Sequence, residues 1–175
     1  MTDALPLSHP YNLARLGNAG DDVHFAAGEA ERAAIAKWSG VLSLEKLEVQ
    51  VRLEKLGPTR FGLEFTLEAD VTQACVVTLE PVPAHIAHRF ARELAFTGQV
   101  RHRDAADDSE VVLDLAKEEG PEEIHSLHYD LAAPVLEEYA LSLEPYPRCP
   151  GVEFAPQSEG SGRPESPFAV LKGLK

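Results

Sequence analysis

The chain has 175 residues, of which 44% are hydrophobic, and 29 acids stand against 16 bases for a formal charge of −13. That length fits one domain able to bury a sizeable core without staples, and the composition argues against global disorder. The charge counts against a nucleic-acid clamp, because such proteins neutralise phosphates with Lys and Arg. Basic protein partners suit the sign better. Two cysteines, Cys75 and Cys149, are too few for a disulfide scaffold, and residues 1–13 lack the basic run and apolar core of a secretory signal. No run approaches the ~18 apolar residues of a membrane span. A soluble, cytoplasmic protein without membrane contact is expected.

Residues 23–25 read as a short strand, and residues 29–38 as a helix with acids in its first turn and Lys37 in its last. Ala34, Ile35 and Trp38 are expected to share its buried face, and Gly40 to end it. Two strands follow. Leu47, Val49, Val51 and Leu53 alternate with Glu48, Gln50, Arg52 and Glu54. Phe61, Leu63, Phe65, Leu67, Ala69 and Val71 alternate with polar residues in the second, after a turn at Gly57-Pro58. Such strands pair antiparallel with one wet face.

Residues 75–79 read as a short buried strand, with Cys75 as inert core. Residues 84–96 are ambiguous: Ile86, Phe90 and Leu94 recur every four, which favours a helix, yet they also share one face of a strand. Residues 104–123 hold nine acids, among them Asp104, Asp107, Asp108 and Glu110, against one base, and read mostly as a solvated loop. Residues 129–143 look helical, with Leu131, Val135 and Tyr139 spaced by four, Asp130 as cap and Pro134 in the first turn. The last 32 residues hold six prolines and four glycines and cannot form a core. Within them Phe168, Leu171 and Leu174 form one apolar side that folds back or docks on a partner. The expected organisation is one α+β domain over residues 1–143 and a tail over 144–175.

The chain contains no phosphate-binding glycine loop, no HExxH and no nucleophile elbow. The pairs His85/His88 and His125/His128 would reach one metal only on helices, with Asp104 or Asp107 to complete the shell. Arg89, Arg92, Arg101, His102 and Arg103 form the one locally basic segment, and the acids after it are nearer partners than phosphate.

Three stretches resemble the YceD-like family of large ribosomal RNA subunit accumulation proteins. The first is Cys75-Val-Val-Thr78-Leu-Glu80-Pro81-Val, where the family shows Cys-x-x-Cys and a Leu-Glu-Pro-Val turn. The second is Asp130-Leu131 leading into Leu141-Ser-Leu143, ahead of Cys149-Pro-Gly151. The third is Ser166-Pro-Phe-Ala-Val-Leu-Lys-Gly-Leu174. The resemblance implies an α+β fold with a bent, mainly antiparallel sheet, open or partly closed into a barrel, carrying two or three helices and an extended C-terminal tail. It favours strand for 84–96. It implies a non-enzymatic role in accumulation or processing of large-subunit rRNA, with no catalytic residue and no cofactor. Some members look able to hold zinc through two cysteine pairs. Thr78 stands at the second ligand position and nothing after Cys149 supplies a fourth, so no metal is expected. The expected partner is a basic protein of the large ribosomal subunit or an rRNA-processing factor, engaged through the acidic residues 104–110 or the segment around Phe168, with weak direct RNA binding. The rival readings are a metal-dependent hydrolase built on the histidines and a general acidic adaptor.

Overall fold

The computed structural model describes residues 5–98 and 120–152. Strand β1 (Pro10–Asn12) runs into a 3-10 turn (Leu13–Arg15), followed by β2 (Asp21–Ala26), α1 (Glu29–Ser39), β3 (Ser43–Lys55), β4 (Arg60–Ala74) and β5 (Pro81–Phe96). Then come β6 (Glu122–Ile124), β7 (His128–Asp130) and α2 (Ala132–Ser142). The main sheet has the order β2-β3-β4-β5-β6, and β1 pairs with β7 in a second, small sheet. All pairings are antiparallel except β5 with β6. The fold is α+β, dominated by an open sheet with two α-helices.

Alternation decides the faces. Leu47, Val49, Val51 and Leu53 of β3, and Phe61, Leu63, Phe65, Leu67, Ala69 and Val71 of β4, are all buried. Register pairs Val51 with Phe65 and Phe65 with Phe90, so three strands contribute to one apolar face. The Phe65 and Phe90 rings stack with centroids 4.6 Å apart. Both helices join the core made by this face.

Helix α1 begins with the Glu31 carboxylate accepting from the Gly28 N–H (2.7 Å) and ends at Gly40, whose φ of 73° lets its N–H reach the Ala36 carbonyl. Its buried residues are Ile35 and Ala36, whereas Ala34 and Trp38 are exposed; the buried stripe is one position away from the expected one. In α2, Leu131, Val135 and Tyr139 are fully buried, in line with their spacing. Asp130 Oδ1 accepts from the Ala132 N–H (2.9 Å) and also from the His9 N–H (2.7 Å), so one carboxylate anchors both the helix start and the N-terminal strand. Pro134 sits in the first turn of the helix, where a missing N–H breaks no bond.

Over 84–96 the structure takes the strand that the resemblance implies over the helix that periodicity favours, and over 75–79 it corrects the expected strand. Residues 84–96 are strand, not helix: the four-residue recurrence of Ile86, Phe90 and Leu94 is twice the strand period, and pairing with β4 along its length selects that solution. Residues 75–79 are not a strand, because β4 ends at Ala74 and the chain turns to enter β5 at Pro81. Within the acidic stretch, residues 122–124 form the edge strand β6; residues 104–119 lie outside the described residues.

Candidate functional site

At the end of β4 the chain must reverse into β5, and it does so through a tight turn. The Cys75 N–H donates to the Glu80 carbonyl (2.8 Å) and the Leu79 N–H to the Cys75 carbonyl (2.9 Å). Leu79 sits at φ 63°, a left-handed conformation that disfavours a branched side chain by about 1–2 kcal/mol. Its side chain is exposed rather than packed. The segment after α2 comes back against this turn. The Val76 N–H donates to the Pro147 carbonyl (2.9 Å), and Gln73 Nε2 to the Glu144 carbonyl (2.9 Å). Gln73 is the buried polar residue of the core, and that bond satisfies it.

These contacts bring together two cysteines 74 positions apart in sequence. The Cys149 N–H donates to Cys75 Sγ at 3.4 Å, and Cys149 Sγ lies 3.8 Å from Thr78 Oγ1. Cys75 has no exposed surface, whereas Cys149 is half-buried. The two thiols differ in acidity. Cys75 is drawn down to about 6 by the Thr78 hydroxyl first, then by backbone N–H groups of Cys149, Thr78 and Val77 that surround the sulfur. Burial is the largest cause pushing the Cys149 thiol up, and its hydrogen bond to Cys75 adds to it. Thr78 also faces the Glu80 carboxylate (3.2 Å) and accepts from the Glu80 N–H (3.4 Å). Its single hydroxyl proton can serve only one of these neighbours at a time.

Cys75 is buried, as its apolar neighbours suggest, but it sits in a turn and not in a strand. Pattern reading assigned it to a strand, and no local signal shows that Cys149 stands beside it. The zinc implied for some family members does not fit this donor set. Two thiolates are half of a tetrahedral site, Thr78 carries a hydroxyl where a thiolate would be needed, and no group of three His, Cys, Asp or Glu among the described residues is placed to hold a metal.

The sheet separates His85 from His88, and no described His, Cys, Asp or Glu group gathers a metal set around either histidine pair. His85 is on the outer face with Nδ1 2.7 Å from Asp70 Oδ1, and His88 is on the inner face with Nε2 3.4 Å from Glu138 of α2. His125 contacts Thr97 (2.9 Å), while His128 sits in β7. Arg92 points inward as well, 3.3 Å from both Glu137 and Glu138, so its ion-pair partners among the described residues come from α2. Arg89 is exposed and has no ion pair among the described residues. Arg101, His102, Arg103, Asp104, Asp107, Asp108 and Glu110, like Phe168, Leu171 and Leu174, lie outside the described residues.

The outer face of the sheet is open and charged. Lys46 pairs with Glu48 (3.0 Å) and Glu68 (3.1 Å), Arg52 with Asp22 (2.6 Å) and Glu54 (3.5 Å), and Arg60 with Glu93. Glu64 is exposed on the same face. Each of these three cations is thus already engaged by an acid, and the acids outnumber them. No described helix is long and apolar enough to cross a membrane.

No curated protein and no solved structure matches the chain. The sequence profile of one family, described as large ribosomal RNA subunit accumulation protein YceD, matches residues 63–175. That span takes in β4, β5, the Cys75 turn, α2 and the Cys149 segment. With well over half its length matched, the chain belongs to the YceD family of large ribosomal RNA subunit accumulation proteins.

Proposed function

We propose that this protein is a non-enzymatic factor in large ribosomal subunit biogenesis that acts by binding a basic protein of the assembling subunit. Membership of the family supplies the link to large-subunit rRNA. The outer sheet face carries the second half of the reading: Lys46, Arg52 and Arg60 are engaged in ion pairs, Arg89 stands free among the described residues, and carboxylates are in net excess on a broad, solvated surface. A phosphate backbone would meet few free cations there, and a basic polypeptide would meet complementary charge. The cytoplasm, where ribosomes assemble, is the site of action in this reading. The acidic residues 104–110 and the terminal segment around Phe168 add candidate contacts beyond the described surface.

Deleting the gene should lower the large-subunit rRNA relative to the small-subunit rRNA. Fluorescence titration of the full chain with basic large-subunit proteins, and separately with naked large-subunit rRNA, tests the partner. Binding to one or more of the proteins should weaken as salt rises and weaken further in a Glu64→Lys/Glu68→Lys variant. Tight binding to RNA alone, lost on Arg89→Ala and indifferent to the charge reversals, would overturn it.

A further inference from the structure

The meeting of the Cys75 turn with the Cys149 segment plays no part in the reading above. The two sulfurs are held by the main chain rather than by chance contact of long side chains. The bonds from Val76 to Pro147 and from Gln73 to Glu144 pin the two segments together on either side of the pair. The Cys149 N–H points at Cys75 Sγ across 3.4 Å, and Thr78 Oγ1, which follows Cys75 in the same turn, lies 3.8 Å from Cys149 Sγ. Both cysteines are free. A cysteine has one soft torsion between backbone and sulfur, and rotation about it can bring together sulfurs carried on two segments that the main chain already pins side by side.

The geometry points to a redox-modification site: a hydroperoxide oxidises the accessible Cys149, and Cys75 resolves the product into a Cys75–Cys149 disulfide. Exposure sets the order, since Cys149 has surface and Cys75 has none. In the first step Cys149 Sγ, having given up its proton, attacks one peroxide oxygen. The O–O bond breaks, Cys149 becomes a sulfenic acid, and the departing alkoxide or hydroxide takes up the proton. In the second step Cys75 Sγ attacks Cys149 Sγ. The S–O bond breaks, and hydroxide leaves as water after protonation. Starting from the Cys149 thiol and the Cys75 thiolate, the pair loses one proton and two electrons, and a solvent proton turns the departing hydroxide into water; the hydroperoxide is reduced to an alcohol, or to water if it is hydrogen peroxide. A dithiol reverses the change by exchange.

Cys75 suits the resolving role. With its thiol drawn down to about 6 it is a thiolate at neutral pH, kept so by the surrounding N–H groups and the Thr78 hydroxyl. Intramolecular capture by a thiolate held beside Cys149 outruns further oxidation of Cys149.

Intact mass and non-reducing peptide mapping of the full chain, before and after hydrogen peroxide, test the proposal. The expected result is one intramolecular link joining the Cys75 and Cys149 peptides, reversed by dithiothreitol. In Cys75→Ala, dimedone should trap the Cys149 sulfenic acid severalfold more than in the wild type. In Cys149→Ala, dimedone should leave Cys75 essentially unlabelled. Mapping of the unmutated protein stands on its own if either variant folds poorly. Links between chains only, or independent oxidation of both cysteines without a 75–149 link, would overturn the proposal.

Discussion

Tyr139 is the largest of the fully buried side chains, and its hydroxyl has no hydrogen-bond partner among the described residues. Ser39 at the end of α1 is close enough to oppose the upward push that burial gives the phenol. Ser39 gives its own proton to the Ile35 carbonyl at 2.9 Å, and the phenol proton meets no acceptor, Ser39 Oγ included, within hydrogen-bond geometry among the described residues. A hydroxyl buried without a bond costs about 1–3 kcal/mol. Tyr139→Phe removes that cost and keeps the ring packed against the core. The variant gives up only the weak contacts of one oxygen, so a net gain of about 1 kcal/mol is expected. For a chain of this length that corresponds to a rise in Tm of roughly 2–4 °C. Urea unfolding with an unchanged m-value should report the same gain, whereas Tyr139→Ala should lose about 3–5 kcal/mol through the missing ring. A loss of more than about 1 kcal/mol in Tyr139→Phe would mean that the hydroxyl is bonded in solution, and the argument would fail.

Phe65→Ala, on the central strand, buried and stacked on Phe90, should cost about 3–5 kcal/mol in the same assay, and a loss under about 1 kcal/mol would refute its place in the core. Thiolate absorbance should titrate one cysteine near pH 6, and Thr78→Val should move that midpoint upward because the Thr78 hydroxyl is the first cause of the depression. The sign for stability follows: a thiol more acidic in the fold contributes fully above its ordinary value of 9.0, and the contribution shrinks as pH falls and vanishes below about 6. Comparing melts of wild type and Cys75→Ala across that window checks it, and parallel curves would refute it. Elemental analysis of protein purified without chelator should find well under one zinc per chain; a full equivalent lost with either cysteine would reverse the metal argument.

Strands β3 and β4, helix α1 with its glycine stop, and the four-residue spacing of α2 are all legible from local pattern, because each buries one face and the period names the element. The family resemblance was legible too, carried by short motifs at the Cys75 turn, at α2 and at the C-terminal end. Residues 84–96 were not legible from periodicity, since a recurrence of four satisfies a strand and nearly satisfies a helix; the resemblance pointed to strand, and pairing with β4 makes the choice. Strand β6 has three residues, two of them acids, and gains its strand conformation from the edge of β5. The inward turn of Arg92 depends on two glutamates of α2 lying over it. Least legible was the thiol pair. An apolar run around Cys75 looks like core from its composition, and nothing local links it to Cys149. Their meeting comes from where β4 ends and where the chain leaves α2, a long-range closure that only packing can bring about.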